Sequence, residues 1–139
     1  MKLLDSNTII NYLRGQEPVV SRMQRPAKGS LGIPSAVAYE LEYGTLKGGS
    51  PRRRAILLDV FSDLVHVPFD HEAALEAARI RVELERQGIV IGPMDLLIAG
   101  TALSRGAVLV TNDTNEFSRV KGLRLEDWTL PHGRDRGIR

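Results

Sequence analysis

Short apolar runs alternate with longer segments of helical periodicity along this chain. Apolar runs predict five short strands, of which the last is the weakest, at residues 2–4, 30–33, 65–67, 107–110 and 123–125. Apolar residues at helical spacing, bounded by Gly, Pro or capping side chains, predict helices at residues 8–14, 35–46, 52–62, 70–87 and 95–104.

This alternation indicates a single α/β domain. Strands that are joined through helices run parallel, and the helices then cover both faces of the sheet. The run at residues 107–110 is continuously apolar, as expected for a strand buried on both sides. The sequence therefore predicts a three-layer α/β/α sandwich around a short, mainly parallel sheet of four to five strands. Sites in such folds form beyond the carboxyl ends of the strands.

Composition narrows the classes of protein that fit. With 139 residues, 42% of them hydrophobic and 26% charged, the chain is an ordinary globular domain rather than a disordered or fibrous one. No apolar run reaches the roughly 18 residues of a membrane span, and the N-terminus lacks the apolar core of a signal peptide. We therefore expect a cytoplasmic protein without a membrane partner. The absence of Cys excludes disulfides, thiolate metal sites and Cys nucleophiles.

The basic residues are a second compositional signal. Most of the 19 cations are Arg, whose planar fork of donors suits phosphate. They occur in clusters at residues 22–28, 52–54, 119–124 and 134–139, which permits a nucleic-acid partner, although a solvated surface explains each cluster as well. We expect one folded domain at residues 1–128 and a flexible basic tail after it, at residues 129–139.

Four acidic residues follow strands or open helices. Asp5 follows the first predicted strand, and Asp95 lies in the first turn of an almost wholly apolar helix. Asp113 and Glu116 follow the fourth strand. Taken singly, each has an ordinary explanation, because Asp caps helices, suits the positive end of the helix dipole and is common in turns.

Glu40 is a fifth candidate. A helical wheel of residues 36–46 places Tyr39, Tyr43 and Leu46 on an apolar arc of roughly 220° whose only charge is Glu40. We therefore expect a carboxylate on a buried face, where it needs a cation, a metal ion or several hydrogen-bond donors. A partly buried ion pair with an Arg is the ordinary alternative.

Together the five acids indicate a metal site. An α/β sheet brings such positions to one edge, and crowded carboxylates repel one another unless a cation lies between them. Oxygen ligands suit Mg²⁺ or Mn²⁺, whereas three His and no Cys argue against an imidazole or thiolate site. An acidic metal site on an Arg-rich protein indicates phosphodiester hydrolysis by a metal-activated water.

Four motifs occur in chain order. Residues 3–8 are Leu-Leu-Asp-Ser-Asn-Thr, residues 40–44 are Glu-Leu-Glu-Tyr-Gly, and residues 91–99 are Ile-Gly-Pro-Met-Asp-Leu-Leu-Ile-Ala. The fourth motif begins with Leu-Val-Thr-Asn-Asp and extends over residues 109–128. In this order the motifs resemble those of the PIN-domain family, specifically the VapC-type toxins of type II toxin–antitoxin pairs, and the likeness covers residues 2–128.

The resemblance implies a PIN-like fold and an endoribonuclease that depends on Mg²⁺ or Mn²⁺ and leaves a 5′-phosphate and a 3′-hydroxyl. Asp5 and Asp95 would be the central metal ligands. Glu40 would support the metal and position or deprotonate the attacking water. Asp113 and Glu116 would fill or outline a second, weaker metal site.

Three polar residues are expected to support these acids. Asn7 and Ser6 would orient Asp5 by hydrogen bonds, and Thr111 would do the same from the end of a strand. For Asn7, helix capping is an equal alternative. Ser6 stands where the family more often has Thr. Gly100 stands where Ala is more usual, at a local helix cost of about 1 kcal/mol and with no obvious bearing on the chemistry.

The resemblance also implies partners: an RNA substrate, a cognate VapB-like antitoxin that covers a groove near the acids, and a second copy of the chain in a homodimer. Some apolar residues on the early helices would serve the protein contacts, although core packing explains them equally well. They are Ile9, Ile10, Tyr12, Leu13, Leu57, Leu58 and Phe61. Candidate RNA contacts, each with a solvated helix face as the alternative, are Arg14, Arg79, Arg81 and Arg86.

Two other classes of function are weighed against this one. A non-catalytic RNA- or protein-binding module would keep the pocket without turnover, and the complete set of motif acids disfavours it. A phosphatase with Asp5 as nucleophile usually needs a second acid two residues later, where this chain has Asn7.

Overall fold

The computed structural model describes residues 1–131, and within that range it has five strands and seven helices. The strands are β1 (Lys2–Leu4), β2 (Leu31–Pro34), β3 (Val65–Val67), β4 (Val108–Val110) and β5 (Arg124–Glu126). The helices are α1 (Ser6–Leu13), α2 (Val19–Gln24), α3 (Ser35–Gly48), α4 (Pro51–Ser62), α5 (His71–Arg86), α6 (Pro93–Ser104) and α7 (Thr114–Phe117).

The strands form one sheet in the order β3-β2-β1-β4-β5, and every pairing is parallel. At its centre, Leu3 of β1 is in register with Gly32 of β2 and Leu109 of β4. Leu3, Leu109 and Ile33 are fully buried, because helices flank the sheet. The predicted α/β class and parallel sheet are confirmed, and the weakest predicted strand pairs with β4 as the fifth.

Two helices lie outside the predicted set. α2 has six residues and begins after Pro18 without a side-chain cap, and α7 has only four residues. Neither is long enough to show a helical period in the sequence. α2 buries Arg22, whose guanidinium lies 5.4 Å from the ring centroid of Trp128. Arg22 is therefore a packing residue and not part of an exposed basic cluster.

The buried face of α3 is narrower than the wheel predicts. Tyr39, Tyr43 and Leu46 are 59%, 56% and 63% exposed, and Glu40 is only partly buried. The prediction of a wide buried arc around Glu40 was wrong, because only the first two turns of α3 are covered by the rest of the molecule. The buried residues of α3 are Ala36, Val37 and Leu41.

Close packing of α5 against α6 fixes the position of α6. A Cβ atom at Gly100 would lie 2.7 Å from the backbone oxygen of Ala73 and 2.7 Å from the Cβ of Ala77. Glycine is therefore what allows the two helices to approach this closely. Because α6 begins at the carboxyl edge of the sheet with Asp95 in its first turn, this contact also places Asp95.

The last described residues are held against the sheet. Glu126 accepts hydrogen bonds from Lys2 Nζ and Trp128 Nε1, each at 2.9 Å, and Trp128 is 3% exposed. Thr129 follows in a turn, and its backbone N–H donates a hydrogen bond to Oδ1 of Asp127 at 2.9 Å. Most of the predicted tail, residues 132–139, lies outside the described residues. Within the described part of the chain no helix has the length and apolar content of a membrane span.

Candidate active site

The candidate site lies between β1 and β4, where the order in which strands are added to the sheet switches from one side of β1 to the other. β2 lies on one side of β1 and β4 on the other, so the connections diverge at the carboxyl ends of β1 and β4. Asp5 follows β1 directly, and Thr111 follows β4 directly. Crevices at such switch points are the usual ligand sites of parallel α/β sheets.

Asp5 is buried and held by three donors. Its Oδ1 accepts a hydrogen bond from the backbone N–H of Ser6 at 2.8 Å, which caps α1. Its Oδ2 accepts from the hydroxyl of Thr111 at 2.8 Å and from the side-chain amide of Asn7 at 3.2 Å. Asp5 therefore caps a helix with one oxygen while its carboxylate stays fixed in orientation.

Asn7 connects the end of β1 to the loop after β4. Its amide N–H group also donates to the hydroxyl of Thr111 at 3.3 Å, and its amide oxygen accepts from the backbone N–H of Asn112 at 3.2 Å. The Thr111 hydroxyl in turn accepts from the backbone N–H of Asp113 at 3.0 Å. These bonds hold the loop that carries Asp113 against the carboxylate of Asp5.

Glu40 reaches the site from α3. Its Oε1 accepts a hydrogen bond from the hydroxyl of Ser6 at 2.6 Å. None of the ion pairs within residues 1–131 includes Glu40, so an Arg does not hold it. An ion pair with an Arg forms instead at Glu42 on the same helix, whose carboxylate lies 3.1 Å from the guanidinium of Arg54.

Asp95 carries the clearest electrostatic sign of crowding. Its pKa is raised from 3.8 to about 6, chiefly by burial and in addition by the nearby carboxylates of Asp5, Glu116, Asp113 and Glu40. The pKa of Asp5 is also raised, mainly by burial, although its hydrogen bonds with Thr111 and Ser6 oppose the rise. The structure thus brings the other four predicted acids within electrostatic range of Asp95.

The five carboxylates have no cationic partner within the described range. No ion pair there includes any of them, and the side-chain oxygens of Asp95, Asp113 and Glu116 accept no hydrogen bond from residues 1–131. Residues 1–131 therefore leave their negative charge uncompensated.

The candidate RNA contacts on α5 are engaged elsewhere. Each of the three Arg residues pairs with a Glu of the same helix, at 3.0, 3.0 and 3.8 Å. These pairs favour a solvated helix face over a free basic surface on α5. Arg14, the fourth predicted RNA contact, is exposed and takes part in none of these pairs. The pairs are Arg79–Glu76, Arg81–Glu85 and Arg86–Glu83.

The donor set fits a divalent cation. All five candidates offer carboxylate oxygens, the ligands that Mg²⁺ and Mn²⁺ prefer. Within residues 1–131 no three acidic or His side chains already stand in the arrangement of a formed metal site. Within residues 1–131 no hydrogen bond fixes the carboxylates of Asp95, Asp113 and Glu116. A cation would therefore need only side-chain rotations to bring these ligands together.

Comparison with known proteins decides the family. Residues 2–123 match the model of the PIN domain. This chain belongs to the PIN-domain family. The PIN-like fold expected from the motifs is therefore confirmed, and PIN-domain ribonucleases generally depend on a divalent metal, in agreement with the donor set.

Individual relatives of this PIN domain resemble it over nearly their whole length. The tRNA(fMet)-specific endonuclease VapC of Shigella flexneri is 40% identical over 128 residues, which cover 91% of this chain and 97% of the relative. The chain in a DNA-bound VapBC structure from Salmonella typhimurium is 39% identical, with a TM-score of 0.85 over 91% of this chain and 97% of that one. VapBC2 of Rickettsia felis, bound to a promoter DNA fragment, gives a TM-score of 0.83 at 33% identity, covering 91% and 98%.

Sequence reasoning missed one contact of this site. It expected Ser6 to orient Asp5 by a hydrogen bond, which the backbone N–H of Ser6 makes, but it did not identify Glu40 as the carboxylate that accepts from the Ser6 hydroxyl. Ser6 and Glu40 are 34 positions apart in the chain. The sequence pattern does not indicate which acid a hydroxyl at the start of α1 will contact.

Proposed function

We propose that this PIN-domain chain is the toxin of a type II toxin–antitoxin pair and an endoribonuclease that requires Mg²⁺ or Mn²⁺. The observation that carries the proposal is the convergence of five carboxylates, without a cationic partner among residues 1–131, at the switch point of the sheet. Relatives named as VapC ribonucleases support the reaction and the biological role.

The proposed metal ligands are Asp5 and Asp95, with Glu40 beside them. Asp5 suits this role because three donors already fix its carboxylate, and Asp95 suits it because its crowded carboxylate gains most from a nearby cation. When bound, the metal would lower the pKa of a water and offset negative charge on the leaving oxygen.

The remaining acids take supporting roles in this proposal. Glu40 accepts a proton from the attacking water or holds that water in place by a hydrogen bond. Asp113 and Glu116, one turn apart on either side of the start of α7, outline the second and weaker cation position. Asn7 and Thr111 keep Asp5 and the loop of Asp113 in fixed relative positions.

The substrate class is RNA, and the named specificity of one relative suggests where to begin. The Shigella flexneri relative is called tRNA(fMet)-specific, so the initiator tRNA is the first RNA to assay. A 5′-phosphate and a 3′-hydroxyl are expected if the activated water attacks phosphorus in line with the bond to the 3′-oxygen, because that bond then breaks and the 3′-oxygen leaves with a proton.

The decisive test is cleavage of that tRNA as Mg²⁺ or Mn²⁺ is titrated. We expect metal-dependent cleavage by the natural chain and its loss, by at least about 100-fold, in Asp5→Asn. Asp59→Asn removes an exposed carboxylate on α4 and should cleave normally. Cleavage by Asp5→Asn at the natural rate, or cleavage that persists in EDTA, would contradict the proposal and favour a contaminating nuclease or another mechanism.

The antitoxin partner follows from the solved relatives, which are toxin–antitoxin complexes. We propose that a VapB-like antitoxin binds this chain and that two copies of the chain form a homodimer. Of the apolar residues expected at such contacts, Ile9, Leu57 and Phe61 belong to the core, whereas Leu13 and Leu58 are exposed. Light scattering after gel filtration tests the dimer, and a monomer at micromolar concentration would contradict it.

A further inference from the structure

Ser6 contacts two of the five acids at once. It is the first residue of α1, its backbone N–H donates to Oδ1 of Asp5 at 2.8 Å, and its hydroxyl donates to Oε1 of Glu40 at 2.6 Å. The side chain of Ser6 is partly buried, so water competes only weakly for the hydroxyl. A single residue thus joins the end of β1 to α3 through two carboxylates.

Glu40 depends on this bond more than Asp5 depends on any one donor. Asp5 has three donors, whereas within residues 1–131 Ser6 is the one residue that donates a hydrogen bond to Glu40. Glu40 has a long side chain, and freezing such a chain costs about 1–2 kcal/mol of rotamer entropy. Its neighbours Tyr39 and Tyr43 are more than half exposed, and the Glu40 side chain is only partly buried.

We propose that Ser6 is a positioning residue that acts through Glu40, holding one carboxylate oxygen so that the other is directed toward a divalent cation shared with Asp5. This inference rests on the proposed function and adds a residue whose hydroxyl contacts a proposed metal ligand, Glu40. Hydrogen-bond partners that orient metal ligands typically contribute 10- to 100-fold to metal affinity.

Direct binding of Mn²⁺ tests the inference without reference to cleavage. Free Mn²⁺ is measured by electron paramagnetic resonance in titrations of the natural chain, Ser6→Ala and Ser6→Thr. We expect Ser6→Ala to weaken binding about tenfold. Ser6→Thr keeps the hydroxyl and should bind within about threefold of the natural chain. Ser62→Ala is the matched control, because it removes a hydroxyl that donates to a backbone oxygen at 2.6 Å on the distant α4.

A double-mutant cycle shows whether Ser6 acts through Glu40. If it does, Ser6→Ala has no further effect on Mn²⁺ affinity once Glu40 is replaced by Ala, which removes the acceptor of the hydrogen bond, and the coupling equals the effect of the single variant. Equal and additive losses in the two backgrounds would overturn the inference, as would unchanged binding by Ser6→Ala.

The outcomes separate this inference from the proposed function. If the natural chain binds no Mn²⁺, the proposed function fails and the role of Ser6 fails with it. If the natural chain binds Mn²⁺ and cleaves RNA while Ser6→Ala binds equally well, only the role of Ser6 is overturned. Circular dichroism of each variant checks that it is folded, and the recovery of binding in Ser6→Thr excludes a general loss of structure as the cause.

Discussion

Asp95 bears an electrostatic cost in the absence of metal. Its folded-state pKa is about 6 against an ordinary 3.8, because burial and four neighbouring carboxylates disfavour its charge. At low pH the carboxyl of Asp95 is neutral in the folded and unfolded chains, so this group then costs the fold no stability. Between pH 3.8 and about 6 the unfolded chain has lost this proton while the folded chain retains it, so stability falls as the pH rises.

Replacing Asp95 by Asn should therefore stabilise the metal-free protein above pH 6. Because Asp95 is only partly buried, solvent screening reduces the gain to about 1–2 kcal/mol at pH 7.5, or a few degrees in Tm. The gain should fall severalfold at pH 4, where folded Asp95 is neutral and the same group in the unfolded chain is only about half ionised. Thermal unfolding in EDTA at the two pH values measures it.

The exposed carboxylate of Asp59 supplies the comparison for that measurement. Asp59→Asn should change Tm little at either pH, since surface substitutions usually alter stability by less than about 0.5 kcal/mol. A lower Tm for Asp95→Asn at pH 7.5 would mean that the carboxylate makes favourable contacts that outweigh its repulsion, and the crowded-acid account of the site would be wrong.

At the scale of single residues, the sequence predicts the acidic side chains better than the hydrogen-bond donors that orient them. Asp5 and Asp113 are recognisable because each follows a strand, and the topology of a parallel sheet brings strand ends together. The donors are harder to predict, because a hydroxyl such as that of Ser6 rotates to whichever acceptor the tertiary structure brings near it. The helical wheel found Glu40 for the wrong reason, since its apolar neighbours are exposed.

At the scale of helices, the contact of α5 with α6 explains a glycine that helix propensity alone disfavours. Gly100 is in the middle of α6, where Ala would be worth about 1 kcal/mol more in an isolated helix. Its neighbours across the contact are the backbone oxygen of Ala73 and the backbone and Cβ of Ala77, which cannot rotate away as a flexible side chain would.

Gly100→Ala should therefore destabilise the protein despite its better helix propensity. Overpacking a tight contact costs about 1–3 kcal/mol, so we expect a net loss of up to about 2 kcal/mol in the free energy of unfolding by urea. The matched variant is Gly44→Ala on α3, where a Cβ meets nothing within 4 Å and should stabilise by up to about 1 kcal/mol. Equal stabilisation by both variants would show that α5 and α6 can separate without cost.

Sequence periodicity is a good guide to elements that pack along their whole length and a poor one to the others. The five long helices were predicted because their apolar spacing or end signals extend over several turns. α2 is held by tertiary contacts such as the burial of Arg22 beside Trp128, and no local signal in its six residues indicates them. The apolar residues Tyr39, Tyr43 and Leu46 of α3 have helical spacing, but the tertiary structure leaves them exposed.

For the whole molecule, the strand order is what converts scattered acids into one site. A parallel sheet of order β3-β2-β1-β4-β5 brings the ends of β1 and β4 side by side, and the tight contact of α6 adds Asp95. The alternation of strands and helices predicts this architecture from the sequence. It does not predict the surfaces for partners, because exposed apolar positions are known only once the core has been assigned.

A divalent metal should therefore stabilise the whole fold as well as enable cleavage. A ligand at 100 times its Kd contributes about 2.7 kcal/mol, which for a chain of this size raises Tm by roughly 10 °C. We expect such a rise with Mn²⁺ at pH 7.5, its retention in Asp59→Asn and its loss in Asp5→Asn. At pH 5 Asp95 is mostly protonated, since its pKa is about 6, and the metal must displace that proton, so the rise should be smaller. A rise that is equal at both pH values would show that the metal binds away from Asp95.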